Sequence, residues 1–198
     1  MRRLGRIFRW LVLLAVLAVI AVLVFAPRYI AGAQNPVDRS KEWPVSEQAR
    51  ALHRRLVIGD LHADPLLWDR NLVRERSEGH VDLPRLDRGN VAVQVFTTVT
   101  KSPSGQNYDS NSADTSDNIT PLVIAQLRPV QSWFSLKERA LDQAHRLNRM
   151  AEANPDLVRV IHSRADLDKL LADRAAGARV VGAVLGMEGA HPLEGQIA

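Results

Sequence analysis

Two places in this sequence gather side chains capable of chemistry. The first reads Gly59-Asp60-Leu61-His62-Ala63-Asp64-Pro65, the second Gly186-Met187-Glu188-Gly189-Ala190-His191. In an extended backbone, residues two apart project from the same face, so His62 and Asp64 are expected side by side where a strand runs out. An imidazole nitrogen and a carboxylate oxygen suit zinc, which takes such donors at about 2.0–2.2 Å. The same pair also reads as a satisfied polar residue followed by a turn residue before Pro65. Glu188 follows a largely apolar run and is flanked by glycines. A carboxylate at the mouth of a buried strand is costly unless it is paired, solvated or on a metal. A single Glu can bridge two metals, one per oxygen; a solvated strand-ending acid is the other reading. His191 fits a ligand, a substrate contact or, most simply, a loop residue. His53, His80, His145 and His162 read as structural or surface residues. There is no cysteine, which excludes disulfides, Cys-based zinc sites and iron–sulfur ligation. Any metal must be held by His, Asp or Glu.

Short apolar runs must carry these residues. Leu56-Val57-Ile58 starts a strand to Leu61, residues 91–99 make a second, Leu157–Ile161 a third and Arg179–Met187 a fourth. Ser46 is a candidate cap for a helix over 47–55, and Ser163 with Asp166 at N3 resembles a capping box for a helix to Ala176. Gly177 fits its stop. Residues 65–89 read as charged and irregular, and 101–118 as an exposed loop. A helical zone over about 119–153 is punctuated by Pro121 and Pro129, with Leu136, Ala140, Leu141, Ala144, Leu147 and Ala151 at helical spacing. Strands alternating with helices give an α/β protein with parallel strands, covered on both faces.

The N-terminus differs in kind. Trp10–Ala26 is a run of 17 residues with no polar or charged side chain, preceded by Arg2, Arg3, Arg6 and Arg9. That length is at the short end of a membrane span. The flank predicts a cytoplasmic N-terminus and an exported body, with Pro27 ending the helix. Ala31-Gly32-Ala33 leaves a cleaved signal peptide as the rival reading. The division expected is 1–30 anchor, 31–48 linker and 49–198 body. Net charge is +4, but residues 1–39 hold six Arg against Asp38 alone, while the rest holds 20 Lys and Arg against 21 acids. The body has no basic excess, which argues against nucleic-acid binding.

Three stretches together resemble the membrane dipeptidase (renal dipeptidase-like) zinc metallopeptidase family. They are Val57–Asp64, with an Asp-x-His-x-Asp strand; His80–Gly89, with Asp82-Leu83-Pro84-Arg85; and Gly186–His191, with Gly-x-Glu-Gly. The resemblance implies a (β/α)₈ TIM barrel with two zinc ions. His62 and Asp64 would hold one zinc and Glu188 would bridge both. It implies hydrolysis of dipeptides, with a D-residue tolerated at the C-terminal position. A barrel typically needs about 250 residues, so the 198 residues are expected to be an N-terminal fragment with an incomplete barrel. The two histidine ligands of the second zinc and the acid for proton transfer would lie beyond residue 198. The chain by itself is then expected to be inactive and not stably folded as a monomer, with the first strand and the Arg179–Met187 strand as open edges inviting oligomerisation. The alternatives are a membrane-anchored non-catalytic remnant and another metal-dependent barrel hydrolase such as a phosphodiesterase. The topology has a direct check: a reporter active only outside the cytoplasm, fused after Ala198, should be active, and activity of a cytoplasmic reporter there would reverse the orientation.

Overall fold

The computed structural model describes residues 2–38, 40, 43–112 and 114–196. The apolar N-terminal run forms one helix, α1 (Arg2–Gln34). Within its Gly5–Gln34 stretch an 18-residue window reaches a mean hydropathy of 2.9, and the helix is long and apolar enough to cross a membrane. The expected stop at Pro27 does not occur: the helix runs on through it. Proline removes one backbone hydrogen bond, and packing offsets that loss here. Pro27 and Ala31 are buried, and α1 packs against α4 (Ile119–Ala125). Asn35 then caps the helix, its side-chain amide donating to Ala31 O at 2.9 Å. The expected linker therefore begins inside the helix and is partly docked, since Gly79 N–H donates to Asn35 O at 2.9 Å. Its Arg39, Lys41 and Glu42 lie outside the described residues.

The body follows the expected alternation closely. Ser46 caps α2 (Glu47–His53), accepting from Ala49 N–H at 3.2 Å. Next come β1 (Ile58–Ala63) and a 3₁₀ turn over Pro65–Leu67. The stretch read as irregular contains one further helix, α3 (Leu83–Arg88). Asp82 caps it, accepting from Arg85 N–H at 2.9 Å, and Pro84 sits in the first turn, where a missing N–H costs nothing. At six residues it is too short to show a period. After β2 (Val91–Thr98) the helical zone divides into three: α4, α5 (Gln131–Phe134) and α6 (Leu136–Ala153). β3 (Val158–Val160), α7 (Arg164–Ala175) with the expected Ser163–Asp166 capping box, and β4 (Val181–Met187) complete the sheet.

All pairings are parallel and the order is β1-β2-β4-β3. β4 is thus interior, paired with β2 along its length and with β3 over Val181–Ala183. Among the described residues the edges are β1 and β3, which corrects the expectation of β4 as an edge. The sheet is open. On one face Phe96, Val181 and Ala183 pack with Leu66, Leu83, Leu86 and Leu147 from the 3₁₀ turn, α3 and α6. Gly182 alternates with these residues and meets Leu170 of α7. Along β2 the alternate residues Val91, Val93 and Val95 stay only half-buried, so coverage of the second face is partial.

On α6 the buried face differs from the apolar periodicity. Arg139 and Gln143 are buried with Ala144, Leu147 and Ala151, while Leu141 is exposed. Gln143 pairs with Val99 as a strand would, accepting from its N–H at 3.2 Å and donating to its C=O at 2.8 Å. Arg139 uses all its donors: Nε to Ser132 O, Nη1 to Thr100 O and Asp117 Oδ2 (all 2.7 Å), and Nη2 to Thr120 Oγ1 at 2.6 Å and Trp133 O at 3.2 Å.

Burial alone would raise the Asp117 pKa. Hydrogen bonds from the Ser102 and Ile119 N–H groups, the Thr120 hydroxyl and Arg139 outweigh it and bring the value down to about 2. Asp117 therefore stabilises the fold above the ordinary carboxylate range, and this is lost as pH falls from about 4 through about 2. The contribution is roughly 2 kcal/mol. Arg139→Met strands Asp117 and several carbonyls; a loss of about 3–5 kcal/mol is expected. Urea unfolding at pH 7 and pH 2 checks both, because the cost of the Arg139 variant should shrink at the lower pH.

Candidate functional site

Three adjacent parallel strands bring their C-terminal ends to one spot. His62 is the fifth residue of β1. Asp64 is not extended: it occupies the position just before the 3₁₀ turn with φ −108° and ψ 36°. An irregularity in the β1–β2 register between Asp60 and Ala63 precedes it. The two side chains meet as expected, but through a bulge and a turn rather than through strand alternation. Glu188 follows β4, and its N–H donates to Thr98 O at 3.2 Å, extending the β2–β4 register by one step. Gly186 makes that register possible, because a Cβ there would stand 2.9 Å from both Thr97 Cγ2 and Val95 Cγ1.

The result is a compact donor set. His62 Nε2 lies 3.4 Å from Asp64 Oδ1 and 3.8 Å from Glu188 Oε2. One ligand atom from each residue falls within 4.8 Å of the others. His62 and Glu188 are about half exposed, at 55% and 49%, so the centre of the group is open to solvent and to an incoming ion. Burial, and then the Asp64 charge, raise the Glu188 pKa, while His62 and His191 oppose the shift. Two carboxylates against one imidazole thus favour a positive species between them, and the nitrogen and oxygen donors fit a divalent cation.

Other residues around the group were not legible in the sequence. Thr97, at the end of β2, bonds through its hydroxyl to Ala63 O at 2.9 Å and to Asp64 Oδ1, fixing the carboxylate's orientation. No local pattern marks it, since its role arises from the pairing of β1 with β2. A cavity of about 420 Å³ opens beside His62 and Asp64 and is lined also by Asn35, Asp60, Arg70 and His80. His80, read from sequence as structural or surface, belongs to this wall, with Nε2 2.9 Å from Pro36 O. A second cavity of about 380 Å³ lies between Glu188 and the 101–118 loop, lined by Lys101, Ser102, Gln106, Asn111 and His191. His191 starts a 3₁₀ turn over His191–Leu193 and stands outside the three-residue group.

A stability consequence follows for the metal-free protein. A carboxyl whose folded pKa is raised contributes fully below its unfolded pKa, and that contribution is lost as pH rises through the folded value. Glu188→Gln should therefore raise the melting temperature in EDTA at pH 7 and leave it unchanged near pH 4, where the wild-type group carries its proton. Equal shifts at both pH values would mean that the carboxylate crowding is not felt.

The family model for membrane dipeptidase, peptidase family M19, matches residues 46–198. No curated protein matches the chain. The matched stretch starts at the Ser46 cap, leaves out α1, and contains His62, Asp64, Thr97 and Glu188. With well over half of the sequence inside that match, the chain belongs to the membrane dipeptidase family of peptidases.

Proposed function

We propose that this chain carries the metal-binding end of a zinc-dependent dipeptidase, with hydrolysis of dipeptides belonging to a full-length form and the 198-residue chain inactive by itself. One observation carries the reading: His62, Asp64 and Glu188 converge within 4.8 Å at the C-terminal ends of parallel strands. Parallel barrels place their active sites at that end. His62 and Asp64 would hold one zinc, and Glu188 would bridge it to a second. Bound zinc would polarise the scissile carbonyl and lower the pKa of the attacking water.

The chain's own residues supply the setting. Thr97 holds Asp64 in orientation. Arg70, His80 and Asn35 on one side, and Lys101, Ser102, Gln106 and Asn111 on the other, offer polar groups to a peptide's two ends. Three ligands suit one ion, and a second ion and a proton-transfer acid need further groups, which is why turnover is assigned to the full-length form. The open parallel sheet suits the first part of a (β/α)₈ barrel. The Arg-rich flank of α1 suits an N-terminus kept in the cytoplasm and a body exported.

Calorimetric titration of the full chain in detergent should give one zinc per chain, with affinity falling about tenfold or more in His62→Ala. In the full-length form, zinc-dependent cleavage of a simple dipeptide should disappear in Glu188→Gln. Near wild-type kcat in that variant would remove Glu188 from the site. Zinc-dependent turnover by the 198-residue chain would overturn the assignment to a longer form.

A further inference from the structure

The α4–α5 connection and α5 itself turn three large apolar side chains outward: Leu127 is 65% exposed, Val130 57% and Phe134 84%. Val130 and Phe134 are four residues apart across the short α5 turn and so share a side. Leu127 holds a left-handed φ of 53°, a conformation that glycine would adopt without strain. A bulky apolar residue, strained and exposed, sits where local geometry favours a glycine.

The neighbourhood says what covers it. Leu127 lines a cavity of about 440 Å³ together with Leu23, Val24 and Pro27 of α1. Leu23 and Val24 lie inside the uncharged run Trp10–Ala26, and Arg28 is the first charge after it. At 1.5 Å per residue, Leu23 sits about 7 Å below Arg28 along the helix axis. A spanning helix holds Arg28 at the headgroups and Leu23 in the hydrocarbon. Leu127 shares its cavity with residues of both levels and follows α4, which packs on α1, so it stands at the boundary between hydrocarbon and headgroups. Arg28, Asp69 and Arg76 line the same cavity and supply polar groups at headgroup level.

We propose that residues 127–134 form an interfacial seat: Leu127, Val130 and Phe134 enter the lipid leaflet on the exported side, beside α1, so that the body rests on the membrane instead of hanging from a tether. This rests on α1 spanning the bilayer. Because Asn35, which directly follows α1, lines the cavity beside His62, the seat also holds the mouth of the candidate site about 10 Å above the headgroups.

The absence of cysteine allows a clean test. Single nitroxide labels are placed by Leu127→Cys, Val130→Cys and Phe134→Cys in the full chain, reconstituted in phosphatidylcholine–phosphatidylglycerol vesicles. Val16→Cys in mid-helix and Tyr108→Cys in the exposed loop are the lipid and water references. Labels at 127, 130 and 134 should resemble Val16, accessible to oxygen and shielded several-fold from a water-soluble nickel complex relative to Tyr108. Nickel access equal to that at Tyr108, with Val16 still shielded, overturns the seat while the anchor stands. Spin–spin broadening at 134 that is relieved by dilution with unlabelled chain assigns the patch to a second copy and also overturns it. Water-like behaviour at Val16 removes the anchor and the seat together.

Discussion

The candidate site of this protein is registered on one strand, β2. It pairs in parallel with β1 on one side and with β4 on the other, so the heights of His62, Asp64 and Glu188 are all set against it. Its own end is fixed from outside the sheet. Gln143 satisfies both backbone groups of Val99, and Arg139 takes the carbonyl of Thr100. Since these donors and acceptors are buried, leaving any of them unpaired costs about 1–3 kcal/mol. α6 therefore does more than cover the sheet: it stops β2 at a defined residue and starts the 101–118 loop from a defined point.

That rigidity is needed because the site opposes itself. Asp64 and Glu188 bring like charge together beside a single imidazole, an arrangement that free side chains would relax by rotating into water. Thr97 restrains Asp64, and the Gly186 contact with β2 restrains the strand that carries Glu188. The sheet thus holds an electrostatic cost that a cation bound between these side chains would relieve.

The apolar helix α1 and the body are one piece of architecture. Pro27 lies within α1 and is buried against the body. Asn35 receives a backbone bond from Gly79, and Pro36 contacts His80. The chain leaving the apolar helix is therefore placed directly against the wall of the cavity that holds His62.

Local physics made much of this legible in the sequence. The Ser46 cap and the Ser163–Asp166 box depend on residues three apart, the strands on short β-branched runs, and the long apolar helix on an uninterrupted apolar stretch. His62 and Asp64 stood out because residues two apart share a strand face, and Glu188 because a carboxylate at the mouth of a buried strand is costly without a partner. Only the tertiary structure decided the rest. The order β1-β2-β4-β3 depends on pairings between residues far apart in the chain. Nothing in the local sequence singles out Arg139, whose role emerges only when Thr100, Ser132 and Asp117 surround it. Thr97 is an ordinary strand threonine until β1 delivers Asp64 to its hydroxyl, and Pro27 reads as a helix stop until packing offsets its missing hydrogen bond. In each case the deciding energy comes from partners distant in sequence, which no local pattern encodes.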